Sequence, residues 1–242
     1  SIRDLAIKDA DLLAGTHGRG FWILDDISPL RQITPDIVKS PTFLYTPPTA
    51  WRFRWNKNTD TPLPPDEPHA PNPPDGVVIS YQLATDAQSV VLEILDPGTG
   101  DTVRRYSSDD PMDVPLPDRN IPDYWLPPAS PRLARTAGLH RFVWDVRYAP
   151  PAVERFTYEI AAVVGATPKS PQGMHVLPGI LQVRLTVDGR PYRRSLSVKM
   201  DPRVKTSQPD LEAQFAAVEA IAPKVFTVHF GALAADRVKR FQ

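Results

Sequence analysis

Hydrophobic and polar residues alternate along much of this chain, with the period of two that indicates β-strands buried on one face. The alternation is clearest at residues 138–145, where it places His140, Phe142 and Trp144 on the same face. Asp188-Gly189 is the strongest hairpin signal in the chain. Other strand-like segments lie at residues 77–81, 90–95, 102–106, 181–187 and 192–198. The pattern predicts a mainly β protein, with His140 as a core or edge histidine that makes one hydrogen bond.

The regular strand spacing predicts an Ig-like antiparallel β-sandwich over residues 77–200, interrupted by long proline-rich insertions. Residues 34–76 are dense in proline and are predicted to be a semi-rigid linker. The period becomes helical in residues 201–242, where Ser207 and Asp210 resemble a capping box. We therefore expect a helical tail, with a second helix at 225–240 packing back on the first.

Residues 1–33 form a smaller unit. Strand-like segments at 11–16 and 21–24 flank His17-Gly18-Arg19-Gly20, whose glycines suit a tight turn. Two or three such strands cannot bury both of their faces and are marginal alone. This is typical of one unit from a repeat architecture, and we expect its neighbours to lie upstream in a longer protein.

The amino-acid composition excludes several classes of binding and catalytic site. The 242 residues contain 28 Lys and Arg and 28 Asp and Glu, so a basic nucleic-acid arm or membrane tether is not expected. No apolar run is long enough for a membrane span. Cysteine is absent, which excludes thiolate catalysis, Cys-ligated zinc and disulfides, and the 5 histidines lack metal-ligand spacing. No metal or cofactor is predicted.

One compact polar group is flanked by aromatic residues: His17 and Arg19 in the turn, and Asp25 after the returning strand. A carboxylate and an arginine near a hairpin mouth could serve sugar chemistry. We favour a plainer interpretation, a solvated strand end with Arg19 paired to a carboxylate. These three residues are the candidate ligand-facing positions, and no catalytic residue is assigned.

A second set of candidates is aromatic: Trp51, Phe53 and Trp55, which follow a period of two, and Trp125. Their rings could stack on sugars. More often such aromatics anchor a linker or a neighbouring domain through buried area, and we favour that interpretation.

The motif at residues 11–31, DLLAGTHGRGFWILDDISPLR, resembles the final blade segment of bacterial exported β-propeller proteins with BNR or sortilin-type repeats, often labelled glycosyl hydrolases. The resemblance covers about 200 residues and continues through 72–76, 92–96, 137–145, 177–179 and 201–204. The second half also resembles the Ig-like or fibronectin-type domain of the flagellar hook-capping protein.

The resemblance implies an extracytoplasmic protein, periplasmic or secreted, whose propeller binds or cleaves a glycan or peptide at its central face. Residues 1–33 would be the terminal blade segment. The chain has no full Asp-box (Ser-x-Asp-x-Gly-x-Thr-Trp), so no catalytic residue carries over.

We therefore expect a non-catalytic C-terminal accessory region that closes the propeller and packs an Ig-like domain against it, with the upstream blades as its partners. Two alternatives stay open. The chain could belong to a sialidase-like glycoside hydrolase whose active site lies mainly in the missing propeller, or it could be a carbohydrate- or protein-binding module.

Overall fold

A computed structural model describes residues 1–54, 66, 73–112, 121–126, 132–153, 156–158, 165 and 167–221. The described part is mainly β, which confirms the predicted class at that level. Every helix within it is too short or too polar to cross a membrane.

The chain begins with an antiparallel meander of three strands, β1 (Ile2–Lys8), β2 (Asp11–Thr16) and β3 (Phe21–Leu24), followed by two short helices, α1 (Ser28–Arg31) and α2 (Pro35–Lys39). Glycines at positive φ build the turn between β2 and β3, Gly18 at 77° and Gly20 at 67°, as the sequence predicts.

The remaining strands are β4 (Thr42–Leu44), β5 (Ala50–Arg52), β6 (Val77–Leu83), β7 (Val90–Leu95), β8 (Thr102–Ser107), β9 (Gly138–Trp144), β10 (Thr157–Tyr158), β11 (Lys169–Ser170), β12 (Gly179–Val187) and β13 (Arg190–Met200). A 3₁₀ turn covers Asp123–Trp125, and a third helix, α3, is described over residues 208–221. Ser207 caps α3, as predicted: its hydroxyl accepts a hydrogen bond of 3.4 Å from the Asp210 N–H and donates one of 2.6 Å to the Asp210 carboxylate. The second predicted helix, 225–240, lies outside the described residues.

Two sheets face each other across the core. One has the strand order β4-β6-β9, and the other has the order β5-β13-β12-β7-β8. All their pairings are antiparallel except that of β5 with β13. The short β10 and β11 pair with each other in a separate two-stranded sheet.

The core forms because alternate residues of each strand point inward. Its largest fully buried members include Trp144, Tyr81, Ile79, Leu92, Ile94, Leu185 and Leu196. His140 lies on the inward side of β9, where its Nε2 is 2.7 Å from the Thr136 carbonyl oxygen, so the predicted edge histidine with one hydrogen bond is confirmed.

The hairpin between β12 and β13 turns at Asp188 and Gly189, both at positive φ, as predicted. The Asp188 carboxylate also accepts hydrogen bonds from the backbone N–H groups of Gln88 and Ser89, each at 2.8 Å. This aspartate therefore holds the β12–β13 turn against the segment that enters β7.

The segment predicted as a linker, 34–76, contributes two strands to the sandwich. β4 pairs with β6, and β5 pairs with β13. Each strand has three residues and lies at a sheet edge, the place where proline-rich sequence can still form a ladder. The sandwich therefore begins at Thr42, not at Val77.

Replacing Leu185 with Ala should lower the free energy of unfolding by about 2–5 kcal/mol, because the substitution leaves a cavity between the two sheets. Leu185 is fully buried, whereas its neighbour Thr186 points outward. Thr186→Ala, the matched control, should change the free energy by no more than about 0.5 kcal/mol. Urea unfolding monitored by tryptophan fluorescence measures both, and equal effects would contradict the inward placement of Leu185.

Candidate functional site

The predicted ligand-facing residues do not form one site. His17 and Arg19 lie exposed in the turn between β2 and β3, whereas Asp25 follows the opposite end of β3. The four residues of β3 separate the two positions by about 13 Å. Arg19 makes no ion pair with a described residue, so the expected pairing with a carboxylate is not observed.

Asp25 connects the meander to the sandwich. Its backbone oxygen accepts a hydrogen bond of 3.1 Å from Arg141, which points outward from β9. Ile27, two residues later, is buried. The Gln32 side chain joins the end of α1 to the segment after β4 by hydrogen bonds with the backbone N–H and carbonyl of Thr46. Residues 25–32 therefore fasten the meander on the side of the β4-β6-β9 sheet.

The predicted aromatic residues that the structure describes lie in two places. Trp51 lies on β5 with 45% of its surface exposed, and Phe53 follows that strand. Trp125 lies in the 3₁₀ turn, half-buried, with its ring 5.0 Å from that of Tyr124. Trp55 lies outside the described residues. Trp51 and Trp125 belong to separate elements, so each must be considered by its own surroundings.

The β1-β2-β3 sheet is apolar on both faces. The strand register aligns Leu5 with Ala14 and Ala14 with Trp22 on one face. On the other face it aligns Ala6 with Leu13 and Leu13 with Ile23. Large side chains stay exposed on both faces: Ile2, Leu5, Ile7, Phe21, Trp22, Ile23 and Leu24.

This exposure is unusual for a folded chain. Phe21 is 86% exposed and Trp22 65%, although a strand normally buries at least one face. Strands that read as nearly continuous apolar runs are typical of sheets covered on both sides. More of the exposed large hydrophobic side chains thus lie on the β1-β2-β3 sheet than on any other described element.

A polar cluster lies where β5 and β9 end: Arg52, Arg104, Asp145, Arg147 and His175. Arg147 and His175 form an isolated antiparallel bridge between the loop after β9 and the loop before β12. Arg147 donates a hydrogen bond of 2.8 Å to the Gly173 carbonyl. Arg52 donates one of 3.2 Å to the carbonyl of Val176. The arginines therefore fasten residues 173–176 to both β5 and β9.

The loop after β9, which contains Arg147, also contains a strained residue. Val146 has a φ of 57°, which is rare for a β-branched side chain and costs on the order of 1–3 kcal/mol. Val146 is buried, and its carbonyl accepts a hydrogen bond of 3.1 Å from the Val176 N–H. Trp144 also donates from its indole to the Arg147 carbonyl at 3.0 Å. Burial and these bonds offset the strain at Val146.

Burial shifts the titration of this cluster. It raises the pKa of Asp145, an effect that nearby Arg104 and Arg147 oppose. It lowers the pKa of His175 to about 4, and the positive charges of Arg147 and Arg52 act in the same direction. His175 is consequently neutral near pH 7.

Perturbed pKa values occur at both catalytic and structural sites. Here the arginines donate to backbone carbonyls of residues 173–176. This geometry indicates a structural role, in which the arginines hold that loop in place, and it does not indicate proton transfer to a substrate. No group of three or more His, Asp or Glu side chains within the described ranges is placed to hold a metal ion.

The polar cluster around Arg147 and His175 could not be predicted from the sequence, because most of its members are too far apart along the chain to form a recognisable motif. Arg52 and His175 are 123 positions apart, and only strand pairing brings them together. His175 lies in a proline-rich insertion, where the alternation that located His140 is absent.

The chain matches no protein-family model, no curated protein and no solved structure. Function is therefore inferred from the surfaces and clusters of the described residues.

Acidification should destabilise the fold through His175. Because its folded pKa of about 4 is below the ordinary value of 6.5, the unfolded chain binds the proton first. The stability that neutral His175 contributes is fully present above about pH 6.5 and is lost as the pH falls toward 4. Urea unfolding should show a lower free energy at pH 5 than at pH 7.

The control for this prediction is His175→Gln, which removes the titrating group but keeps a polar side chain. Its unfolding free energy should vary less between pH 7 and pH 5 than that of the native chain. Asp145 acts in the opposite direction, since its raised pKa favours protonation in the folded state. An unchanged pH dependence in the variant would exclude His175 as the cause.

Proposed function

We propose that this chain is a non-catalytic accessory region of an exported bacterial β-propeller protein. In this proposal the β1-β2-β3 sheet is the terminal blade segment, and its partners are upstream blades of the same polypeptide. The sandwich is an Ig-like domain held against the propeller, in the periplasm or outside the cell.

One observation carries the proposal: the β1-β2-β3 sheet has two apolar faces, and in the part of the chain that the structure describes, large side chains stay exposed on both of them. Blades stand side by side in a propeller, so each blade is covered on both faces. Leu5 and Trp22 on one face, and Leu13 and Ile23 on the other, suit such a position. A sheet designed for one covered face would carry polar residues on the other.

The strand order supports an Ig-like assignment for the second unit. Counting β4 as its first strand, one sheet takes the first, third and sixth strands (β4, β6 and β9), and the other takes β5, β7, β8, β12 and β13. Chain connections thus cross between two packed antiparallel sheets, as in Greek-key sandwiches. The parallel edge pairing of β5 with β13 adds a strand to the larger sheet.

The glycoside hydrolase alternative assigns the chemistry to residues outside this chain. Within it, the separation of Asp25 from His17 and Arg19 gives no paired acid and base. An accessory role is therefore the better supported of the two.

Hydrogen exchange of the 242-residue chain tests the proposal. The amides of β1, β2 and β3 should exchange much faster than those of β7 and β12, because an uncovered three-stranded sheet opens easily. In the longer native polypeptide, covering blades should slow the exchange of β1–β3 toward that of the sandwich.

Trp22→Ser provides a matched variant, since Trp22 is 65% exposed. The substitution should leave urea unfolding of the sandwich unchanged in the isolated chain but destabilise the longer polypeptide. Equal protection of β1–β3 and of the sandwich in the isolated chain would contradict the proposal, as would a longer polypeptide that tolerates Trp22→Ser.

A further inference from the structure

The second surface of interest is the outer face of the β5-β13-β12-β7-β8 sheet, which points away from the core. Strand register places four charged residues in one row across it. Arg105 is opposite Glu93, Glu93 is opposite Arg184, and Arg184 is opposite Arg193. Since strands lie about 4.8 Å apart, the row spans about 14 Å.

This row is mostly positive. Arg184 donates to Glu93 at 2.7 Å, and that hydrogen bond holds the pKa of the Glu93 carboxyl below its ordinary value. Arg105 and Arg193 are exposed, and neither lies within ion-pair distance of another described carboxylate. Like charges directly opposite on neighbouring strands are unfavourable, as Arg184 and Arg193 are here. An anion bound over Arg193 would relieve that repulsion.

A polar stripe runs from this row along β13. The outward residues after Arg193 are Ser195, Ser197 and Lys199, and the stripe is about 20 Å long. Trp51 lies beside its far end: β5 pairs it with Lys199, whose ammonium is 6.0 Å from the indole ring. The stripe thus combines two cationic ends, hydroxyl groups between them and one exposed aromatic ring.

The outer face is positive although the chain as a whole is neutral. It carries four cations, Arg105, Arg184, Arg193 and Lys199, against one carboxylate, whereas the whole chain has 28 residues of each sign. Segregated charge of this kind attracts a ligand of opposite charge. The face is also away from the β1-β2-β3 sheet, which Arg141 fastens on the other side of the sandwich.

We propose that this outer face binds an acidic polysaccharide whose sugar rings carry carboxylates. Arg193 and Arg184 would take a carboxylate at one end, Ser195 and Ser197 would bond ring hydroxyls, and Trp51 would lie against a sugar ring. The inference goes beyond the accessory role proposed above and does not depend on it.

A carboxylated sugar chain fits this face better than the other polyanions. An acidic peptide that adds to a sheet uses the backbone groups of an edge, whereas these groups lie on the face of β13, an interior strand. Nucleic acid is held mainly by many phosphate contacts, and four cations on one face are few for that. The exposed ring of Trp51 and the serine hydroxyls suit a flat, hydroxylated ligand.

The test is binding of the native chain to polygalacturonate, followed by affinity electrophoresis, with neutral dextran as the control polymer. Binding should weaken as salt is added. The double variant Arg193→Gln, Lys199→Gln should bind about tenfold more weakly, and Trp51→Ala about fivefold. Lys39→Gln removes one positive charge from the exposed side of α2, away from the outer face, and should bind as the native chain does.

All four substituted residues are on the surface, so far-UV circular dichroism and the melting temperature should confirm that each variant is folded. The proposal is overturned if polygalacturonate is retained no more than dextran, or if the double variant binds like Lys39→Gln. Equal binding of poly-glutamate, with no effect of Trp51→Ala, would identify an acidic-peptide surface and overturn it as well.

Discussion

An apolar sheet face in water must be covered, and this constraint governs the whole chain. The β4-β6-β9 sheet and the five-stranded sheet satisfy it together, because Ile79 and Trp144 from one meet Leu92 and Leu185 from the other. The β1-β2-β3 sheet has two such faces and no cover for Phe21 or for most of Trp22 within the described chain. Three strands left uncovered are marginally stable by themselves, and the proposed position in a propeller would supply the missing cover.

A corresponding constraint applies to buried polar groups at the end of the sandwich where β5 and β9 end. Where the chain brings polar groups inside, each donor and acceptor needs a partner. Arg52 and Arg147 meet part of this need by donating to the carbonyls of Val176 and Gly173. Among the described residues, the Arg147 Nε, Asp145 Oδ1 and His175 Nδ1 atoms stay buried without a hydrogen-bond partner. The two arginine hydrogen bonds also hold the loop in which Val146 adopts its unfavourable φ. Charge is thus used here to fix a loop, which is why shifted pKa values need not indicate catalysis.

Sequence alone located what local patterns determine. The alternation of hydrophobic and polar residues predicted β9, β12 and β13. Asp188-Gly189 marked the hairpin between β12 and β13, because few other residue pairs accept the backbone conformation of that turn. Strand β4 escaped notice, since three residues among prolines give no period to detect. The period of two at Trp51 and Phe53 did mark the place of β5, but not its pairing with β13. Register was equally hidden. No local signal could align Arg105, Glu93, Arg184 and Arg193, although the outward positions of β13 alternate visibly as Arg193, Ser195, Ser197 and Lys199.

The two proposed surfaces differ in chemistry and in place, so they suit different kinds of partner. The faces of β1–β3 are apolar, and exposed apolar surfaces of this kind mark sites where another surface packs. The stripe along β13 on the outer face of the five-stranded sheet is polar, and its residues Arg193, Ser195 and Lys199 are exposed to solvent. A surface of that kind can bind and release. Arg141 holds the meander against the β4-β6-β9 side, which leaves the opposite side of the sandwich open. Permanent assembly and reversible binding can therefore occur on one chain at the same time.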